Sequence, residues 1–332
     1  MLAAVVEGPG AVVVRDTAPP RAAGLALVRV TRAGICGTDR ALAADGIAAS
    51  PPRVLGHEMT GRVEVPAPGA AVPAGTPVVV NPAAFCGACR ECRRGLPNLC
   101  ARGGLLGRDL DGCFAEYVAV PESLLHPLPE GITADEAALL QVLSTCVHAQ
   151  PSAAADSAVV LGLGVAGLLH VQLLRDRGVP AIVGVTRAAW KRDLALASGA
   201  SVVVAPDDAA AAVAEATGGR GADVVIECAG AAGTLAQAIR LAGPAATVIM
   251  FGTARVADGL PVYAAYLAEL MIRCPRASRP GDFDTAIRLC AERRVALAPL
   301  ITGRYPLGEV ARALAASGRP EHLKIVLDVA SR

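Results

Sequence analysis

The segment Val160-Leu161-Gly162-Leu163-Gly164-Val165-Ala166-Gly167 has the spacing Gly-x-Gly-x-x-Gly. By itself this spacing is weak evidence, but here a strand-like run, Ala158–Leu161, leads into it and a helical pattern, Val165–Arg177, follows. The glycines allow a tight turn and let a pyrophosphate approach the N-terminus of a helix, whose free N–H groups and dipole favour an anion. The segment predicts a dinucleotide-binding turn, the alternative being a packing turn without ligand. The predicted contacts are Gly162, Gly164, Val165 and Gly167.

Strands and helices alternate downstream of this turn. We predict further strands at Ala181–Val185, Val202–Val204, Val224–Glu227 and Ala246–Phe251. We predict helices between them at Ala189–Ala197, Asp207–Ala216 and Thr234–Leu241. Such a βαβ series indicates a parallel sheet with helices on both faces.

The end of the second predicted strand is where such folds read the adenosine ribose. An Asp or Glu there accepts a hydrogen bond from the 2′-hydroxyl and disfavours a 2′-phosphate. This chain instead has Thr186 and Arg187, with Lys191 following. A hydroxyl and cationic groups suit a phosphate, so we expect NADP(H) to be preferred over NAD(H), although Lys191 could equally belong to a solvated helix face.

The residues before the nucleotide-binding pattern show short Val-rich runs between Gly/Pro turns, typical of an antiparallel β-domain. We predict a small, partly closed β-barrel over about the first 130 residues. After residue 251 the pattern is less regular, and His322–Asp328 closes the chain as a strand. We expect the chain to return there to the β-domain. The predicted domains are therefore 1–148 with 276–332, and 149–275.

Four cysteines fall within fifteen residues of the predicted β-domain: Cys86, Cys89, Cys92 and Cys100. Their thiolates can wrap one tetrahedral zinc ion. An iron–sulfur cluster is the alternative, but the ferredoxin pattern has a shorter last spacing and a proline after the final cysteine. Because the protein would fill all four positions, this ion would be structural and would hold the lobe 86–100.

The composition argues against a nucleic-acid-binding protein, a membrane protein and a disulfide-stabilised secreted protein. The net charge of +1 and the pI near 7.6 give no electrostatic footprint for nucleic acid or an anionic membrane. The longest apolar run is short for a membrane span and contains three glycines. Ten cysteines without a recognisable signal peptide favour metal ligation and buried thiols over disulfides. We expect a cytoplasmic protein.

Three features together resemble the zinc-dependent medium-chain dehydrogenase/reductase family, which includes alcohol, polyol and sugar dehydrogenases. They are Cys36-Gly-Thr-Asp39 followed by Gly56-His57-Glu58, the four-cysteine lobe, and the glycine-rich turn at Gly162. The segments 221–230 and 299–302 are also similar, so the resemblance covers essentially the whole chain. It implies a GroES-like catalytic domain, a Rossmann domain, two zinc ions per chain, and dimers or tetramers.

The resemblance also implies roles for individual residues. Cys36 and His57 match the first two ligands of the catalytic zinc, and Glu58 matches the acid beside that metal. Thr38 matches the hydroxyl that begins the proton relay. The third ligand, usually Cys, Glu or Asp, falls at Gln141, and some sugar dehydrogenases of the family that also read Cys-Gly-Thr-Asp-Arg use glutamine there.

Three further residues extend or complicate this assignment. Lys324 matches a basic position that contacts the cofactor pyrophosphate in relatives. Cys146 offers a rival third ligand, although it is better interpreted as core. Ala41 stands where many relatives carry a relay histidine, so the proton must leave another way. A neutral amide leaves more positive charge on zinc, and we expect Glu58 to approach the metal closely to compensate.

We therefore predict an NAD(P)-dependent zinc oxidoreductase (EC 1.1.1.-) that interconverts a secondary alcohol and a ketone, sugar-, polyol- or cyclitol-like. NADP is the expected cofactor, with NAD possible. Two alternatives remain. One is a family member that lacks the catalytic zinc and reduces C=C or C=N bonds with NADPH. The other is a non-catalytic nucleotide-binding protein.

Overall fold

The computed structural model describes residues 1–45, 51–150, 154–253 and 259–330. The chain forms two compact units, each with its own core. The first comprises Met1–Thr145 with Ala277–Arg332, and the second comprises Cys146–Arg276. The domain limits drawn from the sequence stay a prediction. In the described part of the chain, no helix is both long and apolar enough to cross a membrane.

Ten short strands lie in the described residues of the first unit before the chain enters the second. They are β1 (Leu2–Gly8), β2 (Ala11–Asp16), β3 (Ala26–Gly34), β4 (Arg53–Val54), β5 (Glu58–Val65), β6 (Pro77–Val80), β7 (Ala83–Ala84), β8 (Gly104–Leu105), β9 (Tyr117–Val120) and β10 (Leu125–Pro127). The described residues also form α1 (Gly37–Asp45), α2 (Arg90–Arg93), α3 (Ala134–Ala137) and α4 (Leu140–Ala149), of which α4 begins in the first unit and ends in the second.

The central sheet of this unit places β5 and β9 as antiparallel neighbours of β3. Val28, Met59 and Val63 are buried in its core. In the β3–β5 register, Gly34 lies opposite Glu58. This pairing brings the segment after β3 next to the segment before β5, and these are the two segments with the predicted zinc ligands.

The second unit is a six-stranded parallel sheet with helices. Its strands are β11 (Ser157–Leu161), β12 (Ala181–Val185), β13 (Val202–Val204), β14 (Ala222–Glu227), β15 (Ala242–Met250) and β16 (Met271–Arg273). Its helices are α5 (Val165–Asp176), α6 (Lys191–Ser198), α7 (Ala209–Thr217), α8 (Thr234–Leu241) and α9 (Val262–Leu267). The strand order is β13-β12-β11-β14-β15-β16, which is the doubly wound order of dinucleotide-binding folds. The predicted βαβ series is confirmed.

The chain then returns to the first unit through α10 (Pro280–Ala291), β17 (Ile301–Pro306), α11 (Val310–Ser317) and β18 (Lys324–Asp328). Strand β18 pairs antiparallel with β3, with Val326 opposite Gly34. The backbone N–H of Ile35 also donates to the carbonyl of Ile325 at 2.9 Å. These contacts place the start of β18 beside the residues that follow β3.

The spacing of apolar residues in the sequence predicts an amphipathic helix over Phe283–Arg293. The start of this prediction is wrong by three residues, because α10 starts at Pro280. The backbone N–H of Arg279 donates to the Asp282 carboxylate at 2.7 Å, and proline suits the first helical position because its missing N–H needs no partner there. The capping residues therefore extend the helix beyond its apolar periodicity.

Candidate metal centres and cofactor site

Cys36, His57 and Glu58 come together in the first unit. One ligand atom from each residue lies within 4.8 Å of the other two. Cys36 follows β3, and Glu58 begins β5, so the antiparallel pairing of these strands creates the cluster. A thiol, an imidazole and a carboxylate are the ligand types of catalytic zinc sites. The donor set therefore fits the metal that the sequence predicts.

Asp39 supports two of these ligands, a role that the sequence analysis missed. Its carboxylate is fully buried, accepts the backbone N–H of Cys36 at 2.8 Å, and lies 3.1 Å from His57 Nδ1. Burial lowers the pKa of His57, but the charge and hydrogen bond of Asp39 outweigh it, and the pKa lies well above the usual value. An anion behind Nδ1 favours a cation at the other ring nitrogen and fixes the ring orientation, as carboxylates do behind zinc-bound histidines.

Glu58 is paired with Lys324 in a buried contact. Lys324 Nζ lies 2.6 and 2.9 Å from the two Glu58 carboxylate oxygens and donates to the Ile35 carbonyl at 3.1 Å. Burial alone lowers the pKa of Lys324, but the negative charge of Glu58 raises it above its usual value. Gly34 leaves the space for this carboxylate, because a Cβ at that position would overlap Glu58. Glu58, the acid predicted to lie beside the metal, therefore also forms an ion pair with the buried Lys324 ammonium.

Thr38 and Gln141 have different surroundings. Thr38 is exposed, and its hydroxyl lies 3.7 Å from the Cys36 sulfur. Gln141 is buried in the first turn of α4, where its backbone carbonyl accepts the Ser144 hydroxyl at 2.7 Å. Its side-chain amide makes no hydrogen bond with any described residue. The thiol of Cys146 is buried and lies 3.8 Å from the Ala166 carbonyl, in the second unit.

The four cysteines of residues 86–100 form a second ligand cluster, with their sulfur atoms within 4.8 Å of one another. The Cys100 sulfur lies 3.5 Å from that of Cys86 and 3.7 Å from that of Cys89. Four thiolates bound to zinc at about 2.3 Å stand about 3.8 Å apart at tetrahedral angles. Hydrogen bonds, first from the Ala88 backbone N–H, lower the pKa of Cys86 to about 6. The lobe fits a closed structural zinc site.

In the second unit, the glycine-rich turn lies between β11 and α5. Gly162 has φ +91°, and its N–H donates to the Val185 carbonyl at 2.9 Å. A Cβ there would press on the backbone of Ala229. Gly164 precedes α5 and offers no side-chain cap, which leaves the first N–H groups of the helix available to an anion. The geometry is that of a pyrophosphate-binding turn.

Glu227 supports this turn from the neighbouring strand, and the sequence analysis gave it no role. Its buried carboxylate accepts the backbone N–H groups of Ala229 and Gly230 and the Thr234 hydroxyl, each at 2.8 Å. These bonds fix the backbone against which Gly162 packs. The sequence could have indicated this role, because Glu227 is an acidic residue at the end of a strand that is otherwise apolar and buried.

The residues after β12 define the ribose end of the predicted cofactor site. Thr186 is buried, and its hydroxyl accepts the Ala188 N–H at 3.2 Å, which closes a local turn. Arg187 is exposed, and among the described residues it has no hydrogen-bond or ion-pair partner. Lys191, in the first turn of α6, is half-buried. The Asp or Glu that would bind the ribose hydroxyl of NAD(H) is therefore absent from this turn, where Thr186 and Arg187 stand instead.

Comparison with known proteins agrees with both units. Residues 22–130 match the family model of the alcohol dehydrogenase GroES-like domain, and residues 165–292 match that of the zinc-binding dehydrogenases. D-xylulose reductase A of Aspergillus oryzae is 32% identical over 91% of this chain and 89% of its own length. The predicted fold class, a GroES-like domain with a Rossmann domain, is confirmed.

Two solved structures are also similar. A zinc-binding dehydrogenase from Sinorhizobium meliloti bound to NADP is 31% identical, with a TM-score of 0.90 over 99% of both chains. An alcohol dehydrogenase from Escherichia coli complexed with NADH is 26% identical, with a TM-score of 0.90 over 99% of both chains.

The fold, the two ligand clusters and these matches define a zinc-dependent NAD(P) oxidoreductase of the EC 1.1.1.- class. The chain belongs to the zinc-containing medium-chain alcohol dehydrogenase family.

Proposed function

We propose that this enzyme interconverts a secondary alcohol and a ketone of a sugar or polyol, with NADP(H) as the preferred cofactor. The observation that carries this proposal is the convergence of Cys36, His57 and Glu58, oriented by Asp39. Retention of this ligand set is not expected of a reductase that works without catalytic zinc. The similarity to D-xylulose reductase A supports the substrate class.

We assign Cys36, His57 and Gln141 as the protein ligands of the catalytic zinc. Bound there, zinc would supply Lewis-acid polarisation of the substrate oxygen, and the nicotinamide would accept or donate the hydride. Gln141 suits a ligand role because its side-chain amide makes no hydrogen bond with a described residue, which leaves the amide oxygen available to a metal ion. Glu58 supplies the negative charge that the neutral amide lacks.

Thr38 is assigned to the proton path. Its exposed hydroxyl stands 3.7 Å from the Cys36 sulfur, which places it beside the proposed zinc ligands, where it would accept a proton from the substrate. In alcohol oxidation, the Thr38 hydroxyl would accept the proton of the substrate hydroxyl and would release its own proton. Ala41 provides no side chain for a further transfer, so the released proton would continue to the cofactor ribose or to water.

The preference for NADP(H) rests on the turn after β12. Arg187 is an exposed guanidinium without a protein partner in the described structure, and Thr186 and Lys191 flank it along the turn. A guanidinium can bind a phosphate through two N–H groups, which favours a 2′-phosphate over a ribose hydroxyl. The NADP complex of the Sinorhizobium meliloti relative is consistent with this preference.

The function is tested with both cofactors on a panel of sugars, polyols and simple alcohols. We expect kcat/KM to be at least about tenfold higher with NADPH than with NADH on ketose substrates. Arg187→Ala should lower kcat/KM for NADPH about tenfold or more, because a hydrogen bond to a charged group contributes about 1.5–3 kcal/mol, and it should leave NADH unchanged.

Arg240→Ala is the matched control, since it removes an exposed arginine of the same unit on a different helix, α8. Its cofactor preference should equal that of the wild type. A wild-type enzyme that favours NADH would contradict the NADP assignment, and the absence of turnover across the panel would contradict the substrate class.

We also propose that the enzyme is a homo-oligomer, a dimer or tetramer, that associates through the β16 edge. Strand β16 ends the parallel sheet, and both Met271 and Ile272 are exposed although they point to opposite faces. Tyr263 and Tyr266 of α9 are also exposed, each by more than 70% of its surface. An open strand edge that carries exposed apolar side chains is a pairing site, and a second copy of the chain can pair with it symmetrically.

Association is measured by analytical ultracentrifugation at micromolar concentration. We expect Met271→Lys combined with Tyr266→Glu to shift the protein to monomers without loss of helical content. Val13→Lys, which places a charge on an exposed apolar residue of the first unit, should leave the mass unchanged. A wild-type monomer would contradict the proposal.

A further inference from the structure

The chain contains a single tryptophan, and it is exposed on the turn that reads the cofactor ribose. Trp190 is 45% exposed and directly precedes α6, in a protein whose aromatic content is only 3%. A large aromatic ring that stays this exposed gains little from burial, so packing alone does not account for it.

The indole ring lies against the side chain of Lys191. Lys191 Nζ is 5.3 Å from the ring centroid, which is within the range of an attractive cation–π contact. The ammonium is half-buried there, and this burial lowers the pKa of Lys191. A lysine has a flexible four-carbon stem, so a ring that fixes its ammonium reduces the entropy lost when a ligand binds.

The backbone of the turn is held by short local hydrogen bonds. The Ala188 N–H donates to the Thr186 hydroxyl at 3.2 Å, and the Lys191 N–H donates to the Ala188 carbonyl at 3.1 Å. The Arg192 N–H donates to the Ala189 carbonyl at 3.0 Å. These bonds keep Arg187 and Lys191 on one compact turn, with the Trp190 ring beside the lysine.

We propose that Trp190 is a positioning residue that holds the Lys191 ammonium in place for the 2′-phosphate of NADP(H). Trp190 thereby contributes to discrimination against NAD(H) without itself bonding the phosphate. This inference rests on the proposed preference for NADP(H).

The first test uses the wild-type enzyme excited at the long-wavelength edge of tryptophan absorption, where the emission comes from Trp190 and not from the four tyrosines. Adenosine 2′-monophosphate should change the emission saturably and compete with NADPH. Adenosine at the same concentrations should have a much smaller effect. An emission that stays constant while adenosine 2′-monophosphate inhibits the NADPH reaction would overturn the proposal.

The second test compares variants by steady-state kinetics. Trp190→Leu should raise KM for NADPH about fivefold, with kcat within about twofold and KM for NADH unchanged, because an exposed cation–π contact contributes about 1 kcal/mol. Trp190→Phe keeps an aromatic face and should recover part of the loss. Tyr305→Leu removes a comparable pair with Arg312, 6.0 Å apart in the first unit, and should change neither KM.

The outcomes separate the two proposals. A wild-type preference for NADH contradicts the proposed cofactor and this inference with it. A wild-type preference for NADPH that Trp190→Leu leaves intact contradicts the positioning role alone. An equal rise in KM for both cofactors would mean that Trp190 supports the adenosine or the turn, and it would also overturn the role toward the phosphate.

Discussion

Serine in place of Cys36 is expected to lower kcat/KM by about a thousandfold or more and to reduce the zinc content from two ions to one per chain. The thiolate is one of the few charged ligands of the proposed catalytic ion, and a hydroxyl at that position binds zinc weakly. Lewis-acid stabilisation is worth several kcal/mol, and each 1.36 kcal/mol is tenfold in rate. Turnover and metal content are measured on the same preparation, and NADPH binding should remain.

Cys290→Ser is the matched control, because Cys290 is a buried thiol of the same unit outside both ligand clusters. It should keep two zinc ions and nearly full kcat/KM, even if its stability falls slightly. Retained turnover in a Cys36→Ser protein with one zinc would show that the Cys36 cluster is not the catalytic centre.

Methionine in place of Lys324 is expected to lower the free energy of unfolding by about 3–5 kcal/mol. The side chains of Lys324 and Glu58 are 4% and 1% exposed, so loss of the ammonium leaves a carboxylate buried without its cation. Urea unfolding of the zinc-depleted protein measures this effect. Combining Lys324→Met with Glu58→Gln should recover much of the loss, since the uncompensated charge is then absent.

Two comparisons sharpen this prediction. Arg15→Met breaks the exposed pair with Glu7, whose side chains are 44% and 42% exposed, and should cost at most about 1 kcal/mol. The pKa of Lys324 is raised in the folded protein, so its contribution is fully present below about pH 10.4 and is lost only as the pH rises through the folded-state value. The deficit of Lys324→Met should therefore stay constant between pH 7 and 9.

A Lys324→Met protein as stable as the wild type would contradict the burial argument. That result would instead favour the predicted contact of Lys324 with the cofactor pyrophosphate. A rise in KM for both cofactors without a loss of stability would support that role instead.

The nucleotide-binding unit was the most predictable part of the chain. Its strands and helices have local apolar periodicity, and the turn at Gly162 is recognisable because its glycines follow a strand and precede a helix. The start of α10 was missed because capping by Asp282, rather than apolar periodicity, determines it. Asp39 was missed as a positioning residue although it lies three positions after Cys36, since its contact with His57 crosses between two segments.

The sequence by itself determined the two folds and pointed to the residues of both ligand clusters, Cys36 with His57 and Glu58 and the four cysteines of 86–100. Strand alternation, glycine-rich turns and most ligand spacings are local properties. Only the tertiary structure showed which cation neutralises the buried charge of Glu58. Lys324 reaches it across a sequence separation of 266 residues, because β3 pairs with β5 on one edge and with β18 on the other. Local patterns do not encode which strands pair over such distances, and burial converts this pairing into a strong ionic contact.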